Sequence, residues 1–79
     1  MKLKVLFFGA TADVVGSHEL QLELAANDSM SFVLDQLVAE HPFLSLHKLR
    51  FAINQQYATG NEIIRDGDEI AIFTAVSGG

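Results

Sequence analysis

Hydrophobic and polar residues alternate at the start of the chain, and this two-residue period is typical of strands. Residues 2–8 predict a first strand, and residues 18–24, with Leu facing inward and Glu or Gln outward, predict a second. The two strands are expected to form an antiparallel hairpin. The two faces of the first strand carry, respectively, Leu3, Val5 and Phe7, and Leu6 and Phe8.

The hydrophobic period changes to 3.6 residues after this hairpin, which predicts one amphipathic helix. Asp28 or Ser29 supplies the oxygen that caps its first turn. Pro42 ends the helix near His41, because the residue before a proline avoids helical backbone angles. The apolar stripe of the helix consists of Met30, Val33, Leu34, Leu37 and Val38.

The rest of the chain predicts further strands. Residues 43–46 form an apolar connection expected to lie under the fold, and residues 51–54 form a third strand followed by a turn at Gln55-Gln56. Residues 57–64 have room for one short strand. Asp66-Gly67-Asp68 is a turn signal. The final strand covers residues 69–76, with Ile70 and Ile72 on one face and Ala71, Phe73 and Ala75 on the other.

This order of elements predicts an α+β fold of the β-grasp, or ubiquitin-like, type. One helix can cover only one face of a sheet, and the crossover through it is expected to be right-handed. The first and last strands would then lie side by side and parallel at the centre of a mixed sheet. A single domain over residues 1–79 is expected, with this core: Leu3, Val5, Leu22, Val33, Leu37, Ile53, Ile70 and Ile72.

The composition removes several classes of function. A net charge of −5 argues against nucleic-acid and anionic-membrane partners. The chain has no Cys, and its three His lack metal-ligand spacing, so we expect no metal site. The acidic residues Glu62, Asp66, Asp68 and Glu69 are interpreted as a solvated turn. The apolar run after Lys4 is too short for an export signal, which makes a cytoplasmic location the expectation.

No motif for a nucleophilic serine, a phosphate loop or a dinucleotide site occurs in the sequence, so we expect no self-contained active site. The informative feature is the Gly78-Gly79 ending. Two residues without Cβ atoms can enter a tunnel too narrow for any other residue. The carboxyl group of Gly79 could thereby reach an active site in another protein. There, adenylation and sulfide transfer would convert it to a thiocarboxylate, a sulfur nucleophile that requires no Cys.

Three segments resemble the molybdopterin branch of the MoaD/ThiS sulfur-carrier family: KVLFFG at 4–9, DGDEIA at 66–71 and AVSGG at 75–79. Asn54 also stands where that family often has an Asn after its third strand. The resemblance covers nearly the whole chain. Two segments depart from the family pattern. Residues 11–16 lack the basic residue that many members carry before the glycine, and Thr74-Ala75 replaces a Pro-Pro pair.

The resemblance implies a catalytic role for Gly79, whose carboxyl group an ATP-dependent activating enzyme would adenylate before a sulfur donor makes the thiocarboxylate. A flexible tail over 76–79, with Val76, Ser77 and Gly78, would then enter the large subunit of molybdopterin synthase. Sulfur would pass to cyclic pyranopterin monophosphate. Two small and two large subunits would form a heterotetramer, and this chain would bind no cofactor of its own.

The sheet face opposite the helix is predicted to contact the partner through Leu6, Phe8, Phe73 and Ala75, because large apolar groups exposed together mark a binding surface. Phe8 and Phe73 are expected to be neighbours on the two central strands. Two alternatives remain open: a sulfur carrier for thiamine thiazole synthesis, and a ubiquitin-like interaction domain or protein modifier that carries no sulfur.

Overall fold

The computed structural model describes residues 1–25 and 28–74 of the chain. The chain order begins with β1 (Lys2–Phe7), α1 (Ala10–Val15), β2 (Glu19–Glu23), β3 (Asp28–Ser29) and α2 (Met30–Glu40). After a 3-10 helix (Pro42–Leu46) come β4 (Leu49–Ile53), β5 (Gln56–Tyr57), β6 (Ile63–Ile64) and β7 (Glu69–Thr74). None of the helices in these residues is long and apolar enough to cross a membrane.

Five of the strands form one mixed sheet in the order β2-β1-β7-β4-β5. The first and last strands lie side by side and parallel at its centre, and the other pairs are antiparallel. The two short strands β3 and β6 pair with each other beside this sheet. The predicted β-grasp architecture, with one main helix on one face of a mixed sheet, is confirmed.

The main helix begins and ends where the sequence predicts. The Ser29 hydroxyl accepts a hydrogen bond from the backbone N–H of Phe32 at 3.3 Å, which satisfies one of the free donors of the first turn. The helix ends at Glu40, two residues before Pro42. It buries Met30, Val33 and Leu37, so the 3.6-residue stripe is the side that packs on the sheet.

The predicted core is largely confirmed. Leu22 and Ile53 are the two exceptions, since they are half-buried and pack against its margin. β2 is an edge strand and Ile53 ends β4 at a hairpin turn, so each side chain has neighbours on fewer sides. Phe7, Leu44 and Ile64 are fully buried as well. The confirmed core residues are Leu3, Val5, Val33, Leu37, Ile70 and Ile72.

Several predicted boundaries are wrong. The turn after β4 is at Asn54-Gln55, and Gln56 lies opposite Ile53 in β5 instead of in the turn. The connection after α2 is a 3-10 helix in which only Leu44 is buried, whereas Phe43 is 70% exposed and Leu46 75% exposed. A five-residue 3-10 helix has three residues per turn, so it cannot direct all its apolar groups inward.

The strand limits also differ from the prediction. β1 ends at Phe7, because Gly9 with a φ of 60° turns the chain into α1. β4 begins two residues before the predicted start, at Leu49, because it pairs with the end of β7 at Thr74. Residues 75 and 76 of the predicted final strand lie outside the described residues.

Candidate functional site

One face of the sheet is not covered by α2, and an apolar row crosses it. Leu6 in β1 lies opposite Ala71 in β7, Ala71 lies opposite Ala52 in β4, and Ala52 lies opposite Tyr57 in β5. Residues opposite each other in a sheet share a face. Val5 and Ile70, their neighbours in sequence, are fully buried on the helix side, so this row faces away from the core.

Phe73 extends the row toward the end of the sheet at which β7 finishes. Its ring centroid lies 5.9 Å from that of Tyr57, with an interplanar angle of 58°, which is a favourable tilted aromatic arrangement. Tyr57 is 84% exposed. Arg50 lies opposite Phe73 in β4 and adds an exposed cation beside the two rings. We call this surface the open face: Leu6, Ala52, Tyr57, Ala71 and Phe73.

The structure places the predicted interface residues as follows. Leu6 and Phe73 are on the open face, but they are half-buried rather than fully exposed, because the neighbouring strands flank them. Phe8 is 51% exposed and follows the end of β1, where its backbone N–H donates to the Ile72 carbonyl at 3.0 Å. Contact between the Phe8 and Phe73 rings stays a prediction, and Ala75 lies outside the described residues.

Tyr57 was not among the predicted interface residues. It lies in the segment 57–64, for which the sequence predicts only room for one short strand. The signal that could have found it is the hairpin turn at Asn54-Gln55. A two-residue turn determines the register of the strands that it joins, and that register places Tyr57 opposite Ala52.

The predicted tail residues Val76, Ser77, Gly78 and Gly79 lie outside the described residues, so their roles stay predictions. What the structure describes is the strand that precedes them. Thr74, the last residue of β7, lies opposite Leu49 at the same end of the sheet as the Phe73–Arg50 pair. The open face therefore ends where the C-terminal segment starts.

The acidic residues at the opposite end of the sheet hold turns together. Asp66 accepts a hydrogen bond from the backbone N–H of Lys2 at 2.6 Å. Asp68 accepts from the backbone N–H of Arg65 at 2.8 Å and from the Asn54 side-chain amide at 3.0 Å. In residues 1–25 and 28–74, no cluster of His, Asp or Glu is arranged to hold a metal ion.

Glu62 organises the loop between β5 and β6. Its carboxylate accepts hydrogen bonds from the backbone N–H groups of Thr59 and Gly60, both at 2.8 Å, and from the Thr59 hydroxyl at 3.2 Å. The hydrogen bonds from the backbone, that of Thr59 foremost, lower the pKa of Glu62 below its ordinary value, because they stabilise the ionised form. This carboxylate therefore has a structural partner set.

The chemistry of the open face is that of binding. Its side chains are hydrocarbon and phenol groups, and the neighbouring Arg50 can pair with an acid but cannot act as a general base near neutral pH. Aromatic residues with an adjacent Arg are the types enriched at protein interfaces. The arrangement suits a protein partner that receives the C-terminal segment.

Comparison with known sequences agrees with this description. A family model described as the ThiS family matches residues 5–79. The molybdopterin synthase sulfur carrier subunit of Chlamydomonas reinhardtii is 37% identical over 83 residues, and the match covers 100% of both chains.

Two solved structures extend the comparison. The crystal structure of SAMP1, a small archaeal modifier protein from Haloferax volcanii, superposes with a TM-score of 0.85 at 27% identity and covers 100% of both chains. A chain in the complex of subunits 1 and 2 of the molybdopterin-converting factor from Helicobacter pylori 26695 matches with a TM-score of 0.70. The identity is 22%, with 100% of both chains covered, and this likeness shows the fold alone.

Proposed function

The chain belongs to the ThiS family, and from this premise we propose that it is the sulfur-carrier subunit of a molybdopterin synthase. The observation that carries the proposal is the 37% identity, over the whole chain, with the sulfur carrier subunit of Chlamydomonas reinhardtii. The Gly78-Gly79 ending supplies the chemical group that such a carrier needs.

The proposed chemistry takes place on the carboxyl group of Gly79. An ATP-dependent activating enzyme adenylates it, with release of pyrophosphate, and a sulfur donor then displaces AMP to leave a thiocarboxylate. The thiocarboxylate sulfur attacks cyclic pyranopterin monophosphate, and the resulting thioester bond is hydrolysed to return the carboxylate. This chain contributes the sulfur nucleophile and binds no cofactor itself, since ATP belongs to the activating enzyme.

The proposed partner is the large synthase subunit, with two small and two large chains in the assembly. The Helicobacter pylori structure supports such a pairing, because its small subunit shares this fold and is in complex with a second subunit. The open face is the proposed contact surface. It is apolar, partly exposed and continuous with the end of β7, so a partner seated on it would lie next to the C-terminal segment.

A second candidate function is that of a protein modifier. The likeness to SAMP1 from Haloferax volcanii favours it, since that protein is a small archaeal modifier of the same length and fold. In this role the activated Gly79 carboxyl group would form an amide bond with a lysine of another protein. The two candidates share the activation step and differ in the group that accepts the acyl carbon or its sulfur.

The intact mass of the protein distinguishes these functions. The purified chain is incubated with an activating enzyme, ATP and a sulfur source. A sulfur carrier gains the mass that corresponds to one oxygen replaced by sulfur, and the gain disappears without ATP. A mass that never changes contradicts the carrier function. A covalent adduct to a lysine-containing protein, without any sulfur gain, favours the modifier function.

Variants at the C-terminus test whether Gly79 is the donor. Deleting Gly79 should abolish molybdopterin formation, because the carboxyl group then stops about 3.5 Å short of its reacting position and catalysis tolerates little misplacement. Adding one Ala after Gly79 should abolish it as well. Binding to the large subunit, measured by calorimetry, serves as the control and should persist in both variants. Turnover at the normal rate by either variant would contradict the proposal.

A further inference from the structure

The hydroxyl group of Thr11 is buried outside the surfaces discussed so far. Thr11 is fully buried, and it is the one buried polar residue in the described part of the chain. Its Oγ1 lies 2.7 Å from the Phe8 carbonyl oxygen and 3.0 Å from the Ile72 carbonyl oxygen, and it accepts a hydrogen bond from the Phe8 N–H at 3.1 Å. A hydroxyl has one proton, so it donates to one of these two oxygens at a time.

These contacts lie where β1 and β7 separate. Phe7 and Ile72 are the last pair in their parallel register. The Phe8 N–H also donates to the Ile72 oxygen at 3.0 Å, and Gly9 then turns the chain away into α1. Beyond Ile72, β7 is paired only with β4. Thr11 therefore supplies, from α1, the last hydrogen bond on the β1 side of β7.

We propose that Thr11 is a positioning residue that fixes the place and direction in which the C-terminal segment leaves the sheet. The inference rests on the proposed function, which requires the Gly79 carboxyl group to reach reacting atoms inside two other proteins. Ile72 lies two residues before Thr74, where the described strand ends. Without the Thr11 hydroxyl, the end of β7 is held firmly on one side only, and its shifts pass directly into the segment that follows.

The expected size of the effect follows from the geometry of reaction. A misplacement of about 1 Å at the reacting centre can cost about 100-fold in rate. A partly freed strand end spends some of its time correctly placed, so a smaller loss, about tenfold, is expected. Binding through the open face involves other residues and should change little.

Three variants test the proposal. Thr11→Val removes the hydroxyl and keeps the volume and the branched shape. Thr11→Ser keeps the hydroxyl and should restore the function. Leu22→Val is the matched control for stability, because it removes one methylene from a half-buried side chain on the distant strand β2. The single-turnover rate of sulfur transfer from thiocarboxylated protein is measured with saturating large subunit, and the affinity for that subunit is measured by calorimetry.

The proposal expects a transfer rate about tenfold lower for Thr11→Val, with the affinity within about threefold of wild type. Thr11→Ser and Leu22→Val should stay within about threefold in both quantities. A wild-type rate for Thr11→Val overturns the proposal, as does a Leu22→Val rate that falls equally. A loss confined to affinity also overturns it, because the hydroxyl would then act on docking.

Amide hydrogen exchange gives a readout that does not depend on sulfur chemistry. The Phe8 N–H donates to both Thr11 and Ile72, whereas the Asn54 N–H donates to Glu69 at the opposite end of the sheet. Thr11→Val should accelerate exchange at Phe8 by about tenfold relative to Asn54. Equal acceleration at both amides would mean that Thr11 only adds global stability, and overturns the proposal. If the wild-type chain transfers no sulfur, the proposed function has failed, and the exchange ratio still decides whether Thr11 holds the end of β7.

Discussion

Asn54 joins two parts of the chain that are distant in the sequence. Its side-chain oxygen accepts from the Glu69 N–H and its side-chain nitrogen donates to Asp68, both at 3.0 Å. Its φ of 50° lies in the left-handed region, which Asn tolerates better than most residues. One residue thus forms the hairpin turn after β4 and holds the turn before β7.

Gly60 is required for steric reasons. Its φ is 114°, and a Cβ atom at this position would lie 2.8 Å from the Ser31 hydroxyl oxygen, which itself donates to the Gly60 carbonyl. Gly60→Ala should therefore lower the free energy of unfolding by about 1–3 kcal/mol, measured by urea denaturation. Gly16→Ala is the control, since its φ is 81° but no atom lies within 4 Å. An equal or smaller loss at Gly60 than at Gly16 would contradict the steric explanation.

Glu62 makes stability depend on pH. Because its pKa is lower in the folded protein than its ordinary value of 4.5, the ionised carboxylate contributes stability above that value. The contribution is lost as the pH falls through the folded pKa. Glu62→Gln should thus reduce stability at pH 7, and the difference from wild type should shrink on acidification below pH 4.5. Urea denaturation at several pH values measures this, with exposed Glu40→Gln as the baseline. A difference that stays constant with pH would contradict the assignment.

Among the elements, α2 contributes most of the helical side of the core. Leu37 is fully buried in it, between the sheet and the half-buried residues of the helix stripe. Leu37→Ala should lower the free energy of unfolding by about 2–5 kcal/mol, because the side chain loses its transfer energy and leaves a cavity. Gln36→Ala, the exposed neighbour on the same helix, should change it by less than about 0.5 kcal/mol. A loss at Leu37 as small as at Gln36 would show that the helix packs differently.

At the scale of the molecule, the two sides of the sheet have different tasks. One side is closed by α2 and α1, and the other carries the open face and ends at the C-terminal segment. Phe73→Asp should weaken binding to the large subunit by about 30-fold or more, since interface hot spots contribute about 2 kcal/mol or more. Phe43→Asp is the matched control, because this Phe is 70% exposed on the 3-10 helix and outside the open face.

Tyr57→Asp protects this experiment against misfolding. Tyr57 is 84% exposed and needs no burial for the fold, so its substitution should weaken binding while the circular dichroism spectrum stays unchanged. If both open-face variants bind the large subunit with the affinity of the wild type, the partner contacts a different surface.

The sequence by itself determined the type of nearly every element and most of the core. The side-chain period depends only on local backbone geometry, so alternation at Leu3 and Val5 and the stripe through Val33 and Leu37 indicate strand and helix before any contact is known. Local signals likewise determined the ends of α2, since Ser29 and Pro42 act on the backbone next to them.

Tertiary structure alone decided which residues from distant parts of the chain meet. The place of Tyr57 beside Phe73 depends on strand register, which a one-residue difference in the predicted turn was enough to obscure. The contact of Thr11 with Ile72 joins residues 61 positions apart, and the lowered pKa of Glu62 depends on the path of its own loop. Hydrogen bonds and ring contacts require distances of a few Å, and these are set by the packing of the whole chain, which no local period records.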